Sequence, residues 1–239
     1  EFLPIYLTVA ILMGLLHLIH ADYIAFLSLG PGGTPSTPLG YLRVKLLSLL
    51  ALRNPYLPPP IPSCLNPQIG YFSLPNTSTN LPKRDGTRPI VRGIAPHRQS
   101  TQKSPLGTAS YAQLTREIER LTDKPAHNLR MGKSCLEKHG RGLFTLSPSF
   151  PSSSHNCVAE VSHAHPSDGS LHLSLHPADA ALVLERCWGE RHPLARGGWF
   201  SRFVPGGFIM VYAPRTEEEV GTVMEILRAA VWWVGDVEV

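Results

Sequence analysis

Val158-Ala159-Glu160-Val161-Ser162-His163-Ala164-His165 and Ser170-Leu171-His172-Leu173-Ser174-Leu175-His176 flank the tetrapeptide Pro166-Ser167-Asp168-Gly169. The middle four residues have turn composition, so the stretch reads as a β-hairpin. On a strand of period two, His163 and His165 share one face. On the second strand His172, Ser174 and His176 share a face, while Leu171, Leu173 and Leu175 occupy the other. The leucines mark the face that packs on a core. The imidazoles then look toward a cleft or solvent, and His163 or His165 stands within reach of His172 across the ladder. Six of the eleven histidines lie between His155 and His192, so this hairpin concentrates the chain's titratable nitrogen.

Working outward, Asp179 to Cys187 reads as a short helix entered through Pro177 and stopped by Gly189. Gly140 to Leu146 and Gly207 to Ala213 are further strand candidates. Ser110 with Gln113 reads as a capping box before Tyr111, Leu114, Ile118 and Leu121, which fall at helical spacing. Thr216 with Glu219 is a second box, opening a helix to about Trp233 whose early acids Glu217, Glu218 and Glu219 suit the positive end of the dipole. Together these elements predict an α+β fold: a small, mostly antiparallel sheet with helices packed on it, preceded by an N-terminal apolar anchor helix. No internal repeat and no glycine-rich phosphate loop after a strand is present.

Phe2 to Ile19 is apolar apart from Thr8 and His17, at the lower edge of what crosses a bilayer as a helix. The chain opens on Glu1 rather than Met, from which a processed or trimmed N-terminus is expected. A second helical stretch, Leu39 to Leu52, is apolar nearly all round but carries Arg43 and Lys45, as suits a helix against a membrane or against the domain. Eleven prolines between Pro55 and Pro105 leave no regular element of length, so that region reads as a draped covering or as partly disordered. The expected organisation is a membrane helix at 1–21, a linker and second apolar helix at 22–52, a Pro-rich basic covering at 53–109, and a catalytic domain at 110–239.

Net charge is +4, unevenly placed. From Arg53 to Ser110 there are seven basic residues against the single acid Asp85, whereas from Tyr111 onward thirteen bases meet fifteen acids. A basic segment beside an apolar helix favours anionic headgroups. Aromatics are not interleaved with the bases, and no recognition-helix or zinc-finger spacing occurs, which argues against nucleic acid. Cys64, Cys135, Cys157 and Cys187 form no C-x-x-C pair and are expected to be buried free thiols.

Converging imidazoles serve two chemistries. Three neutral nitrogens with a carboxylate such as Glu160 or Asp168 suit Fe(II), Cu or Zn, although Glu160 alternates onto the opposite face from His163 unless a bulge intervenes. Without a metal, a histidine takes a proton from a phenol or enol while Arg191 or Arg215 stabilises the anion. The plain alternative is a hairpin of surface histidines on a membrane-attached, non-catalytic module that binds a small ligand or acts as a scaffold. The loop Trp188-Gly189-Glu190-Arg191-His192-Pro193-Leu194 can present its polar triplet to a planar substrate, and Tyr212-Ala213-Pro214-Arg215 ends a strand with a Tyr and Arg able to bind an enolate or carboxylate.

These motifs resemble the luciferase-domain family of fungi, which includes the luciferases of luminous mushrooms and many members from moulds that emit no light. The similar features are Asp22-Tyr23, Phe26-Leu27 and Gly30-Pro31 after an apolar anchor, Gly40-Tyr41, and Asp85-Gly86-Thr87-Arg88-Pro89. The dense part is His163-Ala164-His165, Leu171-His172-Leu173, Trp188 to Ala195, and Tyr212 to Arg215 followed by three glutamates. The turn Pro166 to Gly169 and the cation Arg196 depart from the luminous enzymes, which places the expectation on a non-luminous member. The resemblance implies an enzyme at an intracellular, endoplasmic-reticulum-like membrane acting on a small aromatic or lactone substrate. That substrate would be a hispidin-like polyphenolic pyrone, with molecular oxygen as co-substrate and no flavin, nicotinamide or ATP. It further implies that His163, His165 or His172 forms and holds an enolate, that Arg191 or Arg215 offsets negative charge, and that Trp188 and Tyr212 line the ring. Glu160, Asp168, Glu190 and His192 complete the expected site, with a His-bound transition metal as the alternative.

Overall fold

Leu171, Leu173 and Leu175 are all but inaccessible to solvent, on the side of the sheet where the alternation puts them. Burying each stabilises the fold by about 1.5–3 kcal/mol. In a computed structural model, the described residues are all except 1, 76, 78, 79, 101–104, 149–156, 158, 203, 238 and 239, and the side chains of 105–108 and 202. His155 and Val158 lie outside them.

The elements run α1 (Leu3–Ser28), α2 (Pro38–Ser48), β1 (Val91–Gly93), β2 (His97–Gln99), α3 (Pro105–Arg120), β3 (Leu129–Lys133), β4 (Arg141–Thr145), β5 (Glu160–Ala164), β6 (Leu171–Ser174), α4 (Pro177–Glu185), β7 (Gly189–Arg191), β8 (Phe208–Val211) and α5 (Glu217–Gly235). The fold is α+β. β1 and β2 form a small hairpin, and the other strands form a six-stranded sheet in the order β3-β4-β5-β6-β8-β7. Every pairing is antiparallel. The hairpin β5–β6 pairs His163 with His172 and Ser162 with Leu173. Its turn closes through the His165 carbonyl accepting the Gly169 N–H, with Gly169 at φ +78°, a conformation that favours glycine.

One face of the sheet supplies Leu143, Val161, Leu171, Leu173, Ile209 and Val211 to the core, against Leu114 and Ile118 of α3 and Val223, Ile226, Leu227 and Ala230 of α5. Thr216 caps α5 by accepting the Glu219 N–H. The opposite face carries His163, His172, Phe208 and Glu190, and it is covered. Pro-rich segments drape over the domain through hydrogen bonds that need no proline N–H. The Trp188 indole donates to the Pro82 carbonyl, His176 Nε2 bonds the Pro67 carbonyl, and Arg191 N–H donates to the Pro55 carbonyl.

Residues 53–109 are a covering, and their regular structure among the described residues is short: the three-residue strands β1 and β2, a 3-10 turn at Tyr71–Ser73 and the first residues of α3. Several expectations need correction. Ser110 is not a helix cap, because α3 opens five residues earlier at Pro105, a residue suited to a first turn. The Gly189–Arg191 stretch is a strand rather than a loop, with Gly189 allowing close approach to the Met210 carbonyl of β8. Cys135 and Cys157 are joined in a disulfide with Cα atoms 5.8 Å apart, so only Cys64 and Cys187 remain as thiols. Spacing alone carries no sign of that bond, since 22 residues separate its ends.

α1 extends well past Ile19, and Phe26 is its one buried residue among those described. It is long and apolar enough to cross a membrane, and its most apolar window buries nothing inside the protein. α2 packs beside the end of α1, where Phe26, Val44 and Ile94 form a second small core.

Candidate active site

His172 is the hub of an imidazole cluster. Its ring centroid lies 4.6 Å from His165, 5.2 Å from His163, 5.4 Å from His97 and 5.4 Å from His192. The hairpin register delivers the first two. His192 comes from the segment after β7, and His97 from β2, stacked on His172 with 7° between ring planes. All five are buried.

Nitrogen pairs link these rings in series. Glu160 Oε1 lies 2.6 Å from His163 Nδ1, His163 Nε2 lies 3.3 Å from His172 Nδ1, and His172 Nε2 lies 3.1 Å from His97 Nδ1. Beyond that, His97 Nε2 is 3.5 Å from Glu190 Oε1, and Glu190 Oε2 accepts the Tyr212 hydroxyl at 3.0 Å. Glu160 reaches His163 because a bulge does intervene: Leu143 pairs with Ser162 and Phe144 with Glu160, leaving Val161 as the extra residue. His165 is backed differently, its Nδ1 bonding the Ser170 hydroxyl at 2.9 Å, which in turn donates to Asp168.

Burial drives the electrostatics. Desolvation holds His165 and His172 well below the usual histidine range, helped by Arg98 and the neighbouring imidazoles at His165 and by the imidazoles alone at His172, and desolvation does the same to His192. His97 falls to about 3, by desolvation first and the Arg98 charge second. These four rings are therefore neutral at pH 7. Burial raises the Glu190 carboxyl to about 7 against the Tyr212 hydrogen bond. Glu160 is also buried, yet hydrogen bonds from His163, Ser134 and the Cys135 N–H bring it below the ordinary carboxylate value.

His97, His163, His172 and His192 form the floor of a cavity of about 460 Å³. Its walls are mostly apolar: Leu47 and Leu50 on and just after α2, Ile94, Leu194, Trp199, Phe200 and Phe208. Glu137, paired with the buried Arg98, Lys138 and Arg43 are the charged residues of the lining.

The structure brings together His163, His165, His172 and His192, with Glu160, Asp168 and Glu190 behind them. It does not bring in the rest. Arg191 alternates away from Glu190 on β7 and donates to the Leu57 and Ala195 carbonyls. Trp188 sits in the main core beneath the Arg84 guanidinium, and Tyr212 reaches the cluster only through Glu190. Arg215 is at the surface, paired with Glu219 and donating to the Asp85 carbonyl. His97 carries no local sequence signal, because β2 spans three residues within a proline-rich stretch, too few to show a period.

Residues 158–230 match the luciferase-domain family model. The chain is 32% identical to the luciferase of Neonothopanus nambi over 91% of its own length and 81% of that protein. It is 33% identical to the luciferase of Armillaria mellea, over 90% of this chain and 81% of that one, and 32% identical to that of Armillaria ostoyae over the same shares. No solved structure matches. This chain belongs to the luciferase-domain family, and four of the five rings of its buried imidazole cluster, all but His97, lie within the matched segment.

Proposed function

We propose that this chain carries out a luciferase-like, oxygen-dependent conversion of a small polyphenolic pyrone of the hispidin type, without flavin, nicotinamide or ATP. The observation that carries the reading is the cavity, an imidazole floor under apolar and aromatic walls, with a volume in the range that holds a ring-sized ligand. In this reading a planar pyrone lies against the aromatic lining residues Phe208 and Phe200 with its acidic hydroxyl toward the imidazoles. His163, backed by the Glu160 carboxylate, is the ring placed to accept that proton, and the enolate so formed is the species that reacts with oxygen. In the scheme the family resemblance implies, that adduct closes to an endoperoxide and loses carbon dioxide. Arg43 and Lys138, on the cavity wall, take the charge-offsetting role that the sequence reading gave to Arg191 and Arg215.

In the same proposal α1 holds the enzyme at a membrane. Its unburied apolar length supports this, as do the exposed Leu39, Leu42 and Leu46 of α2 beside the cavity residues Leu47 and Leu50. A sparingly soluble aromatic substrate would then enter from the lipid side.

The test is to incubate the full chain, in detergent or vesicles, with hispidin-type pyrones in air while following oxygen uptake, carbon dioxide release and photons. Pyrone-dependent oxygen uptake with carbon dioxide release supports the reading. Uptake without photons keeps the chemistry and removes light emission from it. No uptake with any such pyrone overturns it.

A further inference from the structure

His165 Nε2 is fully buried and has no hydrogen-bond partner among the described residues. An unpaired imidazole nitrogen in such a place costs desolvation free energy that nothing in the fold returns. It faces a cluster in which one nitrogen from each of His163, His165 and His172 lies within 4.8 Å of the other two.

We propose that His163, His165 and His172 bind one divalent first-row transition-metal ion, through Nε2 of the first two and Nδ1 of the third. Three features of the arrangement favour it. First, His163 Nε2 and His172 Nδ1 are 3.3 Å apart, which matches the edge of a tetrahedron with metal–nitrogen bonds of about 2.0–2.1 Å. Second, the remaining nitrogen of every ligand is fixed by a partner that leads to a carboxylate. His163 Nδ1 bonds Glu160, His165 Nδ1 bonds Ser170 and through it Asp168, and His172 Nε2 bonds His97, which faces Glu190. Imidazole ligands held from behind by carboxylates are the usual second layer of a metal site. Third, the alternative trio of His97, His172 and His192 fails on donor accounting. His192 Nδ1 already accepts the Leu194 N–H and its Nε2 bonds the Ile94 carbonyl, so it has no nitrogen to give.

Three imidazoles leave a position open toward the cavity, where Glu137 Oε2 stands 3.9 Å from His163 Nε2. Imidazole sets of this kind suit Zn, Fe, Cu and Ni ions. The inference deepens the proposed function and rests on its placement of the working site: an ion at the cavity floor gives an enolate oxygen a cation to bind, and with the three rings ligated the proton passes to the Glu137 carboxylate of the cavity lining.

The experiment uses the full chain, stripped with a chelator and titrated with Co²⁺ in the absence of any pyrone. The expected result is one equivalent bound, with visible ligand-field bands and three imidazole nitrogens at about 2.0–2.1 Å by X-ray absorption. His163→Gln and His165→Gln should each lose stoichiometric binding, while His139→Gln, at an exposed histidine, should keep it. No binding by folded wild-type protein overturns the proposal. So does sulfur in the ion's coordination shell, which would move the site to Cys135 and Cys157, or full binding by both cluster variants. X-ray absorption on the wild type decides the matter alone if the variants do not fold. Since no substrate is present, failure here leaves the oxygen-consumption reading standing, and that reading can fail with the ion bound.

Discussion

His97 Nδ1 lies 3.1 Å from His172 Nε2, a contact between residues 75 positions apart that ties the proline-rich covering to the central strand β6. Neither segment makes the cavity floor alone. The hairpin β5–β6 supplies His163, His165 and His172, while the covering supplies His97 and, through the Ile94 carbonyl, holds His192 in place. The covering is thus part of the site and not packaging around it.

Removing residues 1–20 should raise solubility and leave a cooperatively folded domain. The apolar length of α1 buries nothing against the protein, and its inward contacts, Tyr23 and Phe26 with Tyr41, lie beyond the cut. Thermal melting of the truncated chain checks this, and loss of a cooperative transition contradicts it.

Thr216→Ala should destabilise the fold by about 1 kcal/mol, the ordinary worth of such a cap. Its hydroxyl accepts the Glu219 N–H at 3.2 Å at the start of α5, the helix that covers the sheet's apolar face. A denaturant midpoint unchanged from wild type would show that the cap carries no weight.

Stability should fall with rising pH through the titration of Asp179. Burial lifts its carboxyl from 3.8 to about 6, against hydrogen bonds from the Tyr71 and Phe72 N–H groups. Between those two values the folded chain holds a proton that the unfolded chain has released. The group's contribution is therefore complete at the acid end and is lost as pH rises through its folded value. The change is on the order of 3 kcal/mol. Asp179→Asn does not titrate, so the stability gap between wild type and variant should shift by that amount between the two ends of the window. A gap independent of pH contradicts the assignment.

Reducing the Cys135–Cys157 bond should cost about 3 kcal/mol, the loop-closure value for a separation of 22 residues. The same bond borders the Glu160 carboxylate, which accepts the Cys135 N–H at 2.8 Å. Thiol titration of denatured, unreduced protein should find Cys64 and Cys187 only. Four reactive thiols would remove the disulfide from the account.

The hairpin, its register and the faces of its histidines were legible because alternation over Leu171 to His176 leaves one choice of packed side. The α5 cap and the helix from Pro177 were legible for the same local reasons. What sequence could not carry was long-range. Val161 becomes a bulge only because β4 is in place beside it, and that bulge turns Glu160 onto His163. Arg191 and Trp188 are polar or aromatic residues in a dense motif, yet their partners are backbone carbonyls of the covering and the loop after β7. Their apparent functional signal is a structural one. His97 shows the reverse: a central ring with no local pattern to announce it.

The central claim is that the imidazole floor does the chemistry, and oxygen uptake by His172→Ala beside His176→Ala tests it most directly. His176 belongs to the same strand face by alternation, but it caps α4 through the Ala178 N–H and bonds the Pro67 carbonyl, outside the cavity. With a hispidin-type pyrone in air, His172→Ala should lose roughly 100-fold or more of the wild-type rate, the scale of a lost catalytic group. His176→Ala should keep the wild-type rate and lose about 1 kcal/mol of stability. Equal rates for wild type and a folded His172→Ala protein would contradict the account.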